Sequence, residues 1–146
     1  MTLENLITKD ELRSLTDAYA SLGDDKRISE QMALFTPDAT YQVYMNGSLV
    51  ANIAGTENLE KEFNGHASQV KTYFTLNGQH VVTIAENTAT GTSFSQIKMI
   101  RESEGKHNIT DYSVKYDDTY VRQNGKWLIK DRTGYFVIVE ARALNL

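Results

Sequence analysis

Apolar positions in this chain repeat with two different periods, helical in the first half and strand-like in the second. Leu12, Leu15, Tyr19 and Leu22 follow one another at i, i+3, i+7 and i+10, a single stripe of a helix. Ahead of them, Thr8-Lys9-Asp10-Glu11 reads as a capping box with Thr8 as N-cap, and Ile7 and Leu12 stand where a hydrophobic staple needs them. Gly23 is the expected stop. A second, short helix is predicted over 26–34, with Ile28, Met32 and Phe35 on one side and Pro37 ending it. A third starts near Thr56, carries Leu59 and Phe63 at i and i+4, and closes at Asn64-Gly65.

Short strands are predicted at 40–44 and 48–53 around Asn46-Gly47, and four long ones at 72–84, 88–102, 108–122 and 126–140. Thr, Val, Ile, Tyr and Phe dominate that second half. The connections are short, and Asn124-Gly125 is a strong hairpin signal. Helices first and a meander last predict an α+β domain: a curved antiparallel sheet packed around N-terminal helices, over 1–146. A two-residue turn at Asn124-Gly125 sets Tyr120 opposite Ile129, Asp118 opposite Asp131, Tyr116 opposite Thr133 and Val114 opposite Tyr135. These share one face with Trp127. The other face then holds Asp117 opposite Arg132 and Thr119 opposite Lys130.

The same logic at Glu104-Gly105 pairs Ser93 with Tyr116, Ser95 with Val114 and Ile97 with Tyr112, and sends Lys98 outward opposite Asp111. On strand 72–84 two inward sets remain open: Phe74, Leu76, His80 and Val82, or Tyr73, Thr75, Asn77, Gln79 and Val81. The first-named face is rich in tyrosine yet carries opposed carboxylates, which repel unless one takes a proton, finds a donor or is moved outward by a bulge. Carboxyl groups on an apolar face are candidates for a site. The same face offers Tyr116, Tyr120, Tyr135, Ser93, Ser95 and, in one register, His80 as ligand-lining groups.

Composition narrows the function classes. Among 146 residues, 40% are hydrophobic and 23% charged, which fits a globular domain. A net charge of −4 with scattered Lys and Arg argues against a nucleic-acid partner. The lack of cysteine excludes disulfides and thiol catalysis. The three histidines have no metal-ligand spacing and no glycine-rich phosphate loop follows a strand, so neither a metal nor a cofactor is expected. His66 is placed in a loop after the third helix, and His107 beside a turn. The start Met1-Thr-Leu-Glu-Asn lacks signal-peptide features and no apolar run reaches spanning length, so a cytoplasmic protein without a membrane partner is expected.

The order of elements, the helix region from Tyr19 to Asp24, the segment Leu34-Phe35-Thr36-Pro37-Asp38-Ala39, and Tyr116-x-Asp118-x-Tyr120-Val121-Arg122 followed by Gly125-Lys126-Trp127 resemble the SnoaL-like branch of the nuclear transport factor 2-like superfamily. The resemblance implies a cone, a bent sheet wrapped around a long helix with a pocket in the open end. It also implies a homodimer across the outer sheet face, where Lys115, Asp117, Lys130 and Arg132 would make a polar strip. Its enzymes include ketosteroid isomerase, scytalone dehydratase, bile-acid 7α-dehydratase and polyketide cyclases. Tyr19 falls where ketosteroid isomerase keeps its oxyanion-hole tyrosine, and Asp118 where it keeps a protonated aspartate. That enzyme's base would fall at Val43, which takes no proton. Asp24 matches the dehydratase aspartate just past the first helix, while the dehydratase histidine on the first long strand has no match in Tyr73-Phe74-Thr75-Leu76-Asn77-Gly78-Gln79.

Tyr19, Asp24 and Asp118 are therefore the catalytic candidates. Tyr19 reads equally as a packed helix residue, Asp24 as a cap for the second helix, and Trp127 as core. Two functions compete. One is a cofactor-independent isomerase, dehydratase or cyclase for a cyclic, polyketide- or steroid-like substrate. The other is a non-catalytic module that binds a small hydrophobic ligand or acts as a dimeric interaction protein.

Overall fold

Thr2, rather than Thr8, caps the first helix. In the computed structural model, which describes residues 2–145, α1 spans Leu3–Asp24 and the Thr2 hydroxyl accepts from the Asn5 N–H at 3.1 Å. Nothing in Leu3-Glu4-Asn5-Leu6-Ile7 breaks a helix, so it propagates back past Thr8, which lies buried inside it. The predicted stripe is real, with Leu12 and Leu15 in the core. Gly23 does not stop the helix. A Cβ there would sit 2.8 Å from the Gln31 side-chain nitrogen, so glycine lets α2 (Ile28–Met32) pack closely. Lys26, with φ 58, makes the turn instead.

β1 (Phe35–Met45) follows at once. It contains Pro37, where its ladder with the last strand is interrupted between Phe35 and Thr40 and no N–H is required. β2 (Ser48–Ala54) pairs back onto β1. α3 (Thr56–Ala67) runs through Asn64-Gly65 rather than closing there. Four long strands complete the chain: β3 (Thr72–Ile84), β4 (Thr88–Ser103), β5 (Lys106–Gln123) and β6 (Lys126–Leu144). They form one curved sheet in the order β2-β1-β6-β5-β4-β3. The predicted α+β class and meander hold, with one addition: β1 and β6 are parallel.

Register decides which side chains meet. Between β4 and β5 every predicted pair forms, including Ser93 with Tyr116, and Lys98 with Asp111 at 2.8 Å. Between β5 and β6 the prediction holds from the turn to Tyr120 opposite Ile129 and then slips, because Lys130 is an extra residue on β6. Beyond it Asp118 faces Arg132 rather than Asp131, Tyr116 faces Gly134 rather than Thr133, and Val114 faces Phe136 rather than Tyr135. The slip replaces two opposed carboxylates by an opposite-charge pair. It turns Arg132 inward, 2% exposed, so Arg132 leaves the expected outer strip, and it turns Tyr135 outward, where it stacks on Tyr44.

A second bulge resolves strand 72–84. Asn77 pairs with Ser95 and His80 with Ser93, so Gly78 and Gln79 together oppose Phe94. Each predicted inward set is half right. Tyr73, Thr75 and Asn77 point inward before the bulge, His80 and Val82 after it, while Phe74 (59% exposed) and Val81 (65%) lie outside. The main core gathers Leu12, Leu59, Tyr120, Trp127 and Ile129 between the helices and the sheet.

Candidate functional site

The concave side of the sheet, roofed by α1 and α3, encloses a cavity of about 310 Å³. That is at the lower end of the ~300–1,000 Å³ usual for ligand sites. Its wall is mostly apolar, with Val43, Ile53, Phe63, Ile97 and Met99 among the contributors. Its polar groups gather in two places: a closed end under Tyr19 and Arg132, and a second region around Asp24 and Tyr73.

At the closed end the slip in β6 sets the geometry. Arg132 Nε donates to Asp118 Oδ1 at 2.8 Å and Nη2 to Oδ2 at 3.1 Å, a bidentate pair with both side chains buried. The guanidinium is sandwiched between two aromatic rings, 4.2 Å from the Tyr19 centroid and 3.9 Å from that of Tyr116. Burial alone would favour a neutral guanidine, but the Asp118 carboxylate more than offsets this and Arg132 stays charged. Its third nitrogen, Nη1, makes no hydrogen bond to Asp118. The Tyr19 and Tyr41 hydroxyls stand 3.4 Å apart beside it. Burial pushes both hydroxyls above the usual phenol range although Arg132 pulls the other way, so both remain proton donors at neutral pH.

Where the resemblance implies a protonated donor, Asp118 is surrounded by donors. It accepts three hydrogen bonds, two from Arg132 and one from the Tyr120 hydroxyl at 2.7 Å, and it does not line the cavity. Behind Tyr120, His80 Nε2 lies 3.0 Å from the same hydroxyl. Tyr120 gives its one proton to Asp118, so His80 Nε2 carries the hydrogen and donates. Burial holds His80 below its ordinary value, outweighing the pull of Asp118, which leaves the ring neutral. Its Nδ1 is buried without a partner among the described residues.

Around Asp24 the local structure is built by β3. The Thr75 N–H donates to Asp24 Oδ2 at 2.8 Å and the Thr75 hydroxyl to Oδ1 at 2.7 Å. Asp24 therefore crosses to the sheet and does not cap α2, whose N-cap Arg27 has no side-chain cap bond. Asn77, next along the inward row, accepts from Ser95 at 2.5 Å and donates to Asp17 at 2.9 Å.

Of the candidates from sequence, Tyr19, Asp24, Tyr116 and Ser95 line the cavity. Asp118, Tyr120, His80 and Ser93 lie behind it, and Tyr135 is on the opposite face of the sheet. Sequence reading did not single out Arg132, Tyr41 or the pair His66 and Tyr73, although Tyr73 stood in one of the two open inward sets. His66 Nδ1 is 2.5 Å from the Tyr73 hydroxyl, and both side chains line the cavity. The available signal was the spacing Leu59, Phe63, His66 at i, i+4 and i+7, which continues the helix through Gly65 and keeps His66 on its inner side.

The fold is shared widely among solved structures. A protein assigned as a scytalone dehydratase from Novosphingobium aromaticivorans superposes with a TM-score of 0.81 at 19% identity, covering 100% of this chain and 93% of that one. The hexachlorocyclohexane dehydrochlorinase LinA-type3 from Novosphingobium barchaimii superposes with a TM-score of 0.79 at 12% identity, covering 97% and 93%. A nuclear transport factor 2-like protein with a cystatin-like fold, also from N. aromaticivorans, gives 0.72 at 20% identity, covering 92% and 85%. Among proteins of curated function, none matches this sequence. The profile of the SnoaL-like domain matches residues 4–133, most of the chain. With its helices laid into the concave side of a bent sheet and its pocket between them, the chain belongs to the SnoaL-like domain family.

Proposed function

We propose that this protein is a cofactor-independent lyase that eliminates water from a small cyclic β-hydroxy ketone. The observation that carries the reading is that one cavity holds both a carboxylate with no salt-bridge partner among the described residues, Asp24, and a fixed cation flanked by phenols, Arg132 with Tyr19 and Tyr41. Asp24 and Tyr19 belong to the same helix, five residues apart, and both side chains line the cavity.

The chemistry follows from what each end holds. A carboxylate has about four acceptor positions and Thr75 uses two, so Asp24 keeps capacity to take a proton α to a carbonyl. As the C–H bond breaks, negative charge develops on the carbonyl oxygen. Arg132 Nη1 and the Tyr19 or Tyr41 hydroxyl are the donors suited to that oxygen, and they are already oriented by stacking and by Asp118. The electron pair then expels the β-hydroxyl. Isomerase chemistry of the ketosteroid type is less well supported, because Val43 lines the cavity where the base would be needed. The two solved relatives named for elimination chemistry, a dehydratase and a dehydrochlorinase, agree with this class.

The test is dehydration of a panel of cyclic β-hydroxy ketones, followed by the absorbance of the conjugated enone. Asp24→Asn is expected to lower kcat by about 10²–10⁴-fold, the usual contribution of a positioned base. Turnover untouched by that change removes Asp24 from the role. The second reading, a module that binds without catalysis, is favoured by the engagement of Asp118 with Arg132 and Tyr120, and of His80 with Tyr120. It predicts tight binding of a cyclic ketone with no turnover at all.

A further inference from the structure

We infer that Tyr73 is the general acid that protonates the departing hydroxyl, with His66 and Arg101 as the residues that position and support it. This rests on the elimination reading above and assigns its second proton. The family's strand histidine is missing here, and Thr75 occupies the side of Asp24 that faces β3. Two residues earlier on the same inward row, ~6.6 Å along the strand, stands Tyr73, whose hydroxyl meets His66 from α3.

The direction of that hydrogen bond follows from a third residue. Arg101 Nη2 lies 3.4 Å from His66 Nε2, and a guanidinium only donates. His66 Nε2 therefore presents its lone pair to Arg101, and the ring hydrogen sits on Nδ1. His66 Nδ1–H then donates to the Tyr73 oxygen, which frees the Tyr73 O–H for a ligand in the cavity. Burial and the Arg101 charge both hold His66 below its ordinary value, in keeping with a neutral ring. Burial pushes Tyr73 up to about 12 against the pull of Arg101, so it carries its proton at neutral pH.

The step balances. Asp24 takes the α-proton, the C–O bond to the β-hydroxyl breaks with its electron pair, and the Tyr73 proton completes a water molecule. The phenolate left behind is met by His66 Nδ1–H and the Arg101 charge, and it regains a proton from solvent after product leaves. His66 and Arg101 act through Tyr73 and need not touch substrate.

Two substrates separate the roles: a cyclic β-hydroxy ketone, whose leaving group needs a proton, and the matching β-acetoxy ketone, whose leaving group does not. Tyr73→Phe is expected to lower kcat on the hydroxy ketone by about 10²–10⁴-fold while leaving the acetoxy ketone near the wild-type rate. His66→Ala is expected to follow the same pattern more weakly, and His66→Asn, which restores an N–H close to the Nδ1 position, to recover part of it. Asp24→Asn slows both substrates. If Tyr73→Phe slows both equally or neither, the acid assignment fails while the Asp24 reading stands. If Asp24→Asn slows neither, the elimination reading falls and the inference with it, as it does if the unmodified protein turns over neither ketone. Nitrogen-15 NMR of the histidines gives a readout independent of turnover. Expected is a neutral His66 with its hydrogen on Nδ1, and a hydrogen found on Nε2 overturns the inference.

Discussion

Two polar chains cross the concave face of the sheet, and they differ in what they leave unengaged. The inner one runs Arg132, Asp118, Tyr120, His80 and is buried for most of its length, each member hydrogen-bonded to the next. The outer one runs Asp24, Thr75 and then Tyr73, His66, along the wall of the cavity, and it keeps acceptor and donor capacity directed at whatever enters. The carboxylates look alike in sequence, one in a tyrosine-rich strand and one at a helix end. Burial and partner number separate them: Asp118 holds an arginine in place, and Asp24 keeps acceptor positions beside the cavity.

The comparison breaks most readily at the inner chain. Arg132→Leu leaves Asp118 buried without its cation, and loss of one partner of a buried pair typically costs about 3–5 kcal/mol. Urea unfolding should show that loss, and Asp24→Asn should show far less. Equal destabilisation by the two would erase the distinction between the two polar chains. A middle-sized effect is expected from Tyr120→Phe, which leaves the His80 Nε2–H and one Asp118 acceptor unmatched, at about 1–3 kcal/mol in the same assay. The smallest concerns pH. His80 is held below its ordinary value, first by burial, so the folded chain resists protonation where the unfolded chain accepts it. Stability should be fully present above the ordinary histidine range and fall as pH drops through it, near 6.5. His66 shifts the same way and adds to the slope. In His80→Gln the slope should be shallower, and an unchanged slope would mean that His80 titrates as it does in the unfolded chain.

Much of this architecture is legible before any coordinates. Asn124-Gly125 and Glu104-Gly105 fix turns, and period-two alternation carries each register outward from them until a residue is inserted. Lys130 is such an insertion, and nothing local marks it. Only the implausibility of Asp118 opposite Asp131 hinted at a slip, and the same slip concealed Arg132, the most consequential side chain of the closed end. Gly78 was a readable mark, since glycine inside a strand often signals a bulge. Taking it as one would have merged the two competing inward sets into the observed one. Helix ends were harder. Thr8-Lys9-Asp10-Glu11 satisfies a capping pattern, but capping contributes about 1 kcal/mol and a continuous helix with its own cap at Thr2 replaces it. The misplacement of His66 has the same origin, a Gly65 read as a stop in a helix held by Leu59 and Ala67 packing.

The parallel seam between the first strand and the last has a consequence for how the molecule is made. Among the described residues β6 is the one strand that pairs with both the β2-β1 hairpin and the β5-β4-β3 half of the sheet. During synthesis the hairpin must therefore wait, unjoined, until the final strand leaves the ribosome. Arg132, carried on that strand, is made after Asp118, Tyr120 and His80, so Asp118 has no cation until β6 emerges. Such far-apart pairings slow folding. A chain cut short before residue 126 would emerge as two sheet fragments joined only through the helices.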